Sequence, residues 1–531
     1  MKHLYSFLLS ALVCLSLSAQ NKVSGDSLAA DFHYLVKQLE AAHPDPYTGF
    51  GGKVFFHKQA FNLENELRSQ PHTLQEFWDK SMAFLSFIQD GHTYLFSLAS
   101  KQQQKQSYLP VGFRCIPDGL IVQSLPAAHQ DLLGSLLVGI NGKSMDELLA
   151  RTASLFACEN LYNRYSVFCR NVVRRQFMQQ LLPDLEDTVC FYLRTPDGKD
   201  VTLEQHFMEN EELRKAEKVN LPSWVGCPEE QMAYRFIDKK KEVMMFKVNS
   251  IMARDNFEYM YKHMKGDLLR QMEFYYQNAL KKEMPADTLQ AIRALPSFSG
   301  TFAAMLKEMK KHHSEYLIID LRGNSGGWTP IVLASLYQLY GDKYLQKDMD
   351  TEYYRIVSPL YMNKLEITLE EFNRRYGTDY SFGDYTFSMK EQEDIPLDTL
   401  RRQFIDGCMS SVKEELRAQK GAPVYAPKQV FVVTDERTFS AAFHYAFMLW
   451  KMGATVVGVP SGQAPNTFME QTLFKLPYTG IEGSISNSVQ IFLPGKDKRA
   501  KTFWPDVMLT YDEYKQTGFD KQAEILFLLN K

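Results

Sequence analysis

The sequence predicts an α/β fold whose core is a parallel sheet built from βαβ units, preceded by a helical cap and a β-rich module. Three short apolar runs, residues 243–248, 316–321 and 429–433, have the length and composition of buried strands. Helical patterns separate these runs, and alternating strands and helices are typical of a parallel sheet. The run at 316–321 leads directly into a glycine-rich turn, residues 323–327, which supplies backbone amides at one sheet edge.

Composition is that of a globular protein of two to four domains. The chain has 531 residues, of which 45% are hydrophobic and 23% charged, and its formal net charge is −3. Its Lys and Arg residues form no long basic run, so we expect no nucleic-acid partner. The sequence indicates no particular oligomeric state.

The first twenty residues have the pattern of a secretory signal peptide. Lys2 and His3 precede an apolar run, residues 4–17, and small residues follow at the expected cleavage site. The run is too short to span a bilayer, and no second segment of the sequence is long and apolar enough, so we expect no membrane span after the signal peptide is removed. Loss of Lys2 leaves 59 basic and 63 acidic residues, a net charge of −4. The expected location is periplasmic or extracellular.

Six cysteines remain after the signal peptide, an even number that permits disulfides in an exported protein without requiring them. Buried free thiols are the alternative in a chain large enough to form its own core. No close Cys or His pair has zinc-ligand spacing, because the adjacent His312 and His313 would point to different faces of a helix. We therefore expect no metal and no cofactor.

Residues 21–106 are predicted to form the helical cap. Apolar residues recur at three- and four-residue intervals between residues 27 and 87. The turn signal Asp90-Gly91 follows, and His92 stands just before the strand-like run 93–96.

Residues 107–235 change to short strands and turns, as in a compact β-rich module. We expect strands at 108–115, 119–123 and 136–140, a helix from Met145, and a strand pair at 189–194 and 200–203. A helix is predicted over residues 170–182.

The α/β core is predicted in two parts, residues 236–344 and 426–531, separated by an insertion over residues 345–425. Helices are expected at 302–311 and 330–340, and another begins at Ala441 between strands 429–433 and 454–459. The insertion has no βα repeat, and it fits either a lid that contacts substrate or a solvated surface segment.

Ser440 lies at the start of the helix that follows strand 429–433. By itself this fits an ordinary serine cap of a helix. In a parallel sheet, however, the carboxyl ends of the strands lie along one edge, so Ser440 and the glycine turn can share one crevice. A hydroxyl nucleophile beside backbone N–H donors is the arrangement that acyl transfer needs. A nucleotide site is disfavoured, since no Gly-Lys-Ser/Thr follows the turn and its glycine spacing is not that of a dinucleotide fingerprint.

The run Leu-Ile-Ile-Asp-Leu-Arg-Gly-Asn-Ser-Gly-Gly at 317–327, followed by Thr-Phe-Ser-Ala-Ala at 438–442, resembles the C-terminal-processing (tail-specific) serine protease family, which includes the tricorn core. The similarity covers residues 236–509, and residues 82–95 resemble the upstream cap. It implies a ClpP/crotonase-like protease core and a peptide or protein substrate. The module at 107–155 is loosely similar to a PDZ domain.

The resemblance implies Ser440 as the nucleophile, with amides near Gly326, Gly327 and Ala441 as the oxyanion hole. The processing branch uses a Lys in the turn that here spans residues 459–466 and contains none. The tricorn branch takes a His from the cap, and His92 matches that position.

His92 also suits the role of base chemically, because an imidazole titrates near neutral pH. Glu470 is our choice for the acid that orients the ring, with Asp90 and Asp506 as competitors. Arg499 or Ala500 stands where the tricorn branch has a Glu.

The primary hypothesis is thus an exported serine peptidase. The alternative is a catalytically inactive relative that binds peptides or hydrophobic ligands in the same crevice.

Overall fold

The computed structural model describes residues 22–98, 106–264, 266–349, 351–387 and 395–530. The predicted signal peptide, residues 1–20, lies outside these ranges. Within them, no helix is both long enough and apolar enough to cross a membrane. The structure is a mixed α/β protein, which confirms the predicted fold class.

Three helices form the predicted cap around one apolar cluster. Ser24 caps the first helix, and Thr73 and Glu76 form a capping box at the third, so the amides that a helix start leaves free have acceptors. Leu28, Phe32 and Leu35 are fully buried on the inner face of the first helix. The three helices span Gly25–Ala42, Lys53–Ser69 and Leu74–Ser86.

The β-rich module is an antiparallel sheet with helices on one side. The predicted strand pair at 189–194 and 200–203 is confirmed as Thr188–Arg194 and Asp200–His206. The predicted helix from Met145 is also confirmed. The main strands are Gly112–Ile116, Gly119–Pro126, Leu136–Ile140, Thr188–Arg194, Asp200–His206 and Lys218–Asn220, and the helices are Met145–Leu155, Leu161–Asn171 and Arg175–Leu181.

The prediction of one helix over residues 170–182 is wrong. The chain leaves the helical conformation at Arg174, which has φ −91° and ψ 128°. There the backbone pairs with a neighbouring segment: Tyr108 and Arg174 form an antiparallel bridge, and the amide of Leu109 donates to the carbonyl of Val173 at 2.8 Å. Tertiary pairing therefore overrides the local helical pattern.

The core contains a five-stranded sheet, here called the central sheet. Its first two strands, Met232–Phe236 and Val243–Val248, are antiparallel, and three strands parallel to the second follow across the sheet: Tyr316–Asp320, Gln429–Thr434 and Thr455–Gly458. The strands at 243, 316 and 429 are thus confirmed. Helices Phe298–His312, Pro330–Tyr340 and Ala441–Lys451 pack against the sheet in one large apolar cluster.

A second sheet joins three separate parts of the chain. Its centre is the long hairpin Asn466–Lys475 and Glu482–Ile491, here called the long hairpin. Strand Glu352–Ile356 of the insertion pairs with one side of the hairpin, and the cap strand Tyr94–Leu95 pairs with Gly483 and Ser484. This pairing fixes the segment that carries His92 to the core.

The insertion over residues 345–425 therefore contributes two strands to the second sheet: Glu352–Ile356, which pairs with the long hairpin, and Tyr385–Phe387, which pairs with Glu352–Ile356 at the sheet edge. The helices of the insertion are Pro359–Leu365, Leu369–Tyr376, Leu397–Gly407 and Lys413–Ala418. The core also has helices that were not predicted, Arg254–His263, Leu268–Tyr275 and Thr288–Arg293, and two near the C-terminus, Tyr511–Gln516 and Ala523–Leu529. Shorter helices are Asn210–Lys215 and Asp342–Leu345.

A buried ionic cluster connects the module, the central sheet and the C-terminal helix. Glu524 accepts hydrogen bonds from Arg114 of the module at 2.8 Å and from Arg322 of the glycine turn at 2.7 Å. Arg322 also binds both oxygens of Asp320, each at 2.9 Å. Burial alone would raise the pKa of Glu524, but the two guanidinium groups lower it overall.

The six cysteines that follow the predicted signal peptide are all free thiols in the described residues, so this structure contains thiols in place of disulfides there.

Candidate active site

Ser440 occupies a strained turn between strand Gln429–Thr434 and helix Ala441–Lys451. Its φ of +52° and ψ of −127° lie where non-glycine residues are rarely found. Its side chain makes no capping hydrogen bond to the helix that it precedes. The interpretation of Ser440 as an ordinary helix cap is therefore wrong.

The glycine turn meets Ser440 as the sheet topology predicts. A Cβ atom placed on Gly326 would lie 2.6 Å from the Cβ of Ser440 and 2.9 Å from the amide nitrogen of Ala441. One placed on Gly327 would lie 2.2 Å from the carbonyl oxygen of Ile251. With φ values of +107° and +143°, both positions require glycine.

Some backbone N–H groups of the glycine turn and of the Ser440 turn donate hydrogen bonds within the protein, and others do not. The N–H of Gly326 donates to Oδ1 of Asn324 at 2.9 Å, and the N–H of Ser440 donates to Oε1 of Gln463. Within the described ranges, the N–H groups of Gly327 and Ala441 donate to no acceptor. Of the three predicted oxyanion-hole positions, Gly326 is therefore the one whose amide is already bonded within the protein.

His92 is held in the interior between the cap and the core. Its side chain is buried, with 6% of the residue exposed, and its ring lies 4.9 Å, centroid to centroid, from the ring of Phe439, the neighbour of Ser440. The Ser484 hydroxyl of the long hairpin donates to the backbone carbonyl of His92 at 2.9 Å. The cap thus places His92 in contact with Phe439, the residue before Ser440.

Two carboxylates face the same nitrogen of this ring. Nδ1 of His92 lies 3.8 Å from Oδ1 of Asp90 and 3.8 Å from Oε1 of Glu159. Within the described chain, neither ring nitrogen has a hydrogen bond of standard geometry. Burial lowers the pKa of His92, while the Asp90 charge and the Phe468 backbone act in the opposite direction.

Asp90 is held as a charged group by its neighbours. Its Oδ1 accepts the backbone N–H of His92 at 2.9 Å, and its Oδ2 accepts the Thr93 hydroxyl at 2.5 Å. Nε2 of the buried His43 lies 3.3 Å from Oδ2. Because the Asp45 amide donates to Nδ1 of His43 at 3.1 Å, a neutral His43 carries its proton on Nε2 and donates it to Asp90. Burial alone would raise the pKa of Asp90, but the hydrogen bond and charge of His43 bring it down to about 2.

Glu159 belongs to the module, and its pKa is shifted in the opposite direction to that of Asp90. Burial, followed by the charge of Asp90, raises its pKa to about 8. Its oxygens accept the backbone N–H groups of Gly91 at 3.3 Å and Ala464 at 2.9 Å. Near neutral pH, Asp90 therefore carries the negative charge and Glu159 is largely protonated.

Glu470, our choice for the orienting acid, lies in a different set of contacts. Its carboxylate forms ion pairs with Lys364 at 2.7 Å and Arg355 at 3.1 Å, both from the insertion. Asp506, a competitor for the role, accepts the amide of Val456 at 2.8 Å. The acids that the structure brings within 4 Å of the His92 ring are Asp90 and Glu159.

A second histidine, His444, lies one helical turn after Ser440 and has both ring nitrogens occupied. Nε2 donates to Gln490 Oε1 at 2.7 Å, and the Thr329 hydroxyl donates to Nδ1 at 2.8 Å. Burial lowers the pKa of His444 to about 4. These contacts are those of a neutral structural histidine.

A cavity of about 920 Å³ opens beside the site. Residues from the cap, the module and the core line it, among them Asp90, Gly91, Arg170, Arg174, Ser325 and Phe439. Its size is typical of a pocket for a small ligand or a short peptide segment.

Sequence reasoning missed three residues of this site: His43, Glu159 and Gln463. Gln463 lies in the turn 459–466, where the processing branch has a Lys and this chain has none. The side-chain oxygen of Gln463 accepts a hydrogen bond from the backbone N–H of Ser440. His43 and Glu159 are far from every motif, and no local pattern marks them. The signal is their burial next to Asp90 and His92, which appears only in the folded chain.

A model of peptidase family S41 matches residues 291–482, a range that includes both the glycine turn and Ser440. This match confirms the predicted resemblance at the level of the family and the prediction of a serine-type peptidase, while His92, the basis of the predicted branch, lies outside the matched range. No curated protein matches the sequence.

Among solved structures, mature CPAF has a TM-score of 0.56 and 14% identity, and the alignment covers 95% of this chain and 98% of that one. Mature CPAF complexed with lactacystin gives a TM-score of 0.54 at 14% identity with the same coverage. The photosystem II D1 C-terminal processing protease gives 0.39 at 11% identity, covering 92% of this chain and 94% of that one. The similarity to CPAF shows that the two chains share a fold.

Proposed function

We propose that this chain is an exported serine peptidase in which Ser440 is the nucleophile and His92 is the general base. The observation that carries the proposal is the conformation of Ser440: a serine strained at φ +52°, with an uncapped side chain, in contact with a glycine turn. Such strain is typical of a nucleophile held at a sharp strand-to-helix turn.

Acylation would proceed as follows. Nε2 of His92 takes the proton of the Ser440 hydroxyl while the oxygen attacks the carbonyl carbon of the scissile peptide bond. The N–H groups of Gly327 and Ala441 stabilise the negative charge on the carbonyl oxygen. The C–N bond then breaks, and His92 returns the proton to the leaving amine. Water repeats the sequence to release the acyl group from Ser440.

Asp90 is the acid that we assign to His92, in place of Glu470. Its charge lies on the Nδ1 side of the ring, where it favours the imidazolium that forms when Nε2 takes a proton. The 3.8 Å separation is longer than a hydrogen bond, as catalytic hydrogen bonds often are before substrate is bound. The negative charge of Glu470 is already balanced by Arg355 and Lys364, so Glu470 would stabilise a protonated His92 less than Asp90 does.

The large cavity is the proposed binding site for the peptide. It is lined by Ser325 of the glycine turn and by Phe439, the residue before Ser440, so a peptide lying in it would pass next to the segments that flank the nucleophile. Because the cap and the module line it as well, substrate contacts involve all three parts of the chain.

The alternative is a catalytically inactive relative that binds peptides in this cavity. The observation that favours it is the absence, within the described residues, of a hydrogen bond to either ring nitrogen of His92. Binding without turnover would then be the function of the crevice.

Export rests on the pattern of residues 1–20. Expression of the full chain in a bacterial host, followed by N-terminal sequencing of the product, is expected to show cleavage near residue 20. A product that retains Lys2 in the cytoplasm contradicts export.

Hydrolysis of fluorescein-labelled casein tests the enzymatic proposal. The wild type is expected to release fluorescent peptides, and Ser440→Ala and His92→Ala to lose this activity. Ser223→Ala in an exposed loop and His33→Ala on the exposed face of the cap are matched controls. A folded wild type that binds casein without cutting it supports the inactive relative.

A further inference from the structure

Asp90, His92 and Glu159 form a compact group of metal-ligand atoms in the interior. One ligand atom from each lies within 4.8 Å of the others, and all three residues are buried, with 0%, 6% and 9% of their surface exposed. Nδ1 of His92 is 3.8 Å from each carboxylate. Tetrahedral ligands bound at about 2.0–2.2 Å lie roughly 3.3–3.6 Å apart, so binding an ion requires only a small contraction.

The imidazole at the centre of this group makes only loose polar contacts with the protein, to the Asp90 carboxylate and to the Phe468 backbone. In the described chain, neither ring nitrogen of His92 makes a hydrogen bond of standard geometry. A buried polar atom without a partner costs about 1–3 kcal/mol, and most such atoms in proteins are satisfied. A cation between Nδ1 and the two carboxylates would use the nitrogen lone pair and the carboxylate oxygens together.

Both carboxylates are held from outside in the manner of metal ligands. His43 and Thr93 contact the oxygen of Asp90 that faces away from Nδ1, at 3.3 Å and 2.5 Å. The Ala464 amide donates to Oε2 of Glu159 at 2.9 Å, and the Gly91 amide donates at 3.3 Å to Oε1, the oxygen on the Nδ1 side, which keeps a second lone pair for a ligand. Such outer hydrogen bonds orient ligand oxygens and strengthen metal binding.

The donor set favours a transition metal over calcium or magnesium. One imidazole nitrogen and two carboxylate oxygens suit Zn²⁺, whereas Ca²⁺ and Mg²⁺ prefer sites made of oxygen alone. Asp90 and Gly91 also line the large cavity, so an ion can reach the group from the crevice.

We propose that Asp90, His92 and Glu159 bind a divalent transition-metal ion of the Zn²⁺ class, and that the bound ion switches the peptidase off. A metal on Nδ1 takes the lone pair of that nitrogen, so the proton of the neutral ring is on Nε2. Nε2 then cannot accept the proton of Ser440. The ion also engages Asp90, the acid that would otherwise stabilise the imidazolium. The effect on activity rests on the proposed function, whereas binding of the ion does not.

Sequence reasoning predicted no metal because no close His or Cys pair has ligand spacing. The ligands come instead from two distant segments, Asp90 and His92 in the cap and Glu159 in the module, and only the fold brings them together.

Binding is tested on the full mature chain without a histidine tag, after treatment with EDTA and removal of the chelator. The Ser440→Ala background prevents self-cleavage and keeps all three ligands. Titration with ZnCl₂ by calorimetry is expected to give one tight site per chain, and CoCl₂ to give visible d–d absorption that Zn²⁺ abolishes.

Glu159→Gln and Asp90→Asn are each expected to weaken Zn²⁺ binding tenfold to a hundredfold. Asp79→Asn is the matched control, because Asp79 lines the same cavity outside the ligand group. Circular dichroism shows which variants are folded. Tight Zn²⁺ binding that survives both folded ligand variants, or the absence of a one-to-one site in Ser440→Ala, overturns the proposed site.

The switch is tested separately on the active wild type. Stoichiometric Zn²⁺ is expected to abolish casein hydrolysis, and EDTA to restore it. A chelated enzyme that is inactive and regains activity with Zn²⁺ overturns the switch. A chain that binds Zn²⁺ through the three residues but never cuts peptides refutes the proposed peptidase and leaves the metal site supported.

Discussion

The imidazole of His92 lies against the phenyl ring of Phe439, with ring centroids 4.9 Å apart. His92 comes from the cap and Phe439 from the turn that presents Ser440, so this contact joins the proposed base to the proposed nucleophile. The cap is fixed in this position by the pairing of Tyr94 and Leu95 with the long hairpin, and by Asp31, whose carboxylate accepts the amides of Tyr478 and Thr479 at 2.8 Å each. Activity should therefore depend on an intact contact between cap and core.

Gly326→Ala should nearly abolish activity. The new Cβ would lie 2.6 Å from the Cβ of Ser440, so either the nucleophile or the oxyanion turn must move. We expect kcat/KM to fall by about 10²-fold or more, the size of the loss when an oxyanion donor is removed. Gly323→Ala is the matched control, since Gly323 also has a positive φ of +76° but open space around its Cβ position. Equal losses in the two variants would show that backbone strain, not contact with Ser440, is responsible.

Asp90→Asn should affect catalysis more than Glu470→Gln does. Asp90 is the charged acid next to Nδ1 of His92, and we expect its replacement to lower kcat by about 10²- to 10⁴-fold, within the range attributed to general base catalysis. Glu470→Gln breaks ion pairs to Arg355 and Lys364, so we expect a lower melting temperature and a smaller change in kcat. Steady-state kinetics of the two folded variants test which acid orients His92. A larger fall in kcat for Glu470→Gln than for Asp90→Asn would assign that role to Glu470.

His43→Ala should lower kcat through Asp90 without changing KM. Loss of the Nε2 donor leaves Oδ2 of Asp90 with fewer hydrogen bonds and a looser orientation. We expect roughly a 10- to 100-fold fall in kcat, as for other residues that orient a functional group from behind. His43→Gln retains an N–H donor and should recover part of the rate, while His33→Ala should behave as wild type. An unchanged kcat in folded His43→Ala refutes the positioning role.

Glu524→Gln should destabilise the fold in a pH-dependent way. The substitution leaves Arg114 and Arg322 buried without their shared anion, at a cost of about 3–5 kcal/mol near neutral pH. The pKa of Glu524 is lower in the folded chain, so its contribution is fully present above the unfolded pKa of about 4.3 and is lost as the pH falls through the folded value. Urea denaturation over a pH series should show the gap between wild type and variant shrinking in acid. A constant gap contradicts this account.

Much of the core was predictable because its signals are local. Proline at the first helical position and glycine after the last set the bounds of Pro330–Tyr340, and continuous apolar runs marked the strands of the central sheet. The residues that complete the site were not predictable in this way. His43, Glu159 and Gln463 acquire their roles only from convergence in space. The failed prediction over residues 170–182 has the same cause, since pairing of Arg174 with Tyr108 interrupts a pattern that reads as one helix.

Covalent labelling tests the central claim most directly. The wild type, Ser440→Ala and His92→Ala are treated with a fluorophosphonate probe, and the modified residue is located by peptide mass spectrometry. We predict one adduct on Ser440 in the wild type, none in Ser440→Ala, and labelling slowed by about 10²-fold or more in His92→Ala. An adduct on another residue, equal labelling of Ser440→Ala, or no labelling of folded wild type would contradict the assignment of Ser440 and His92.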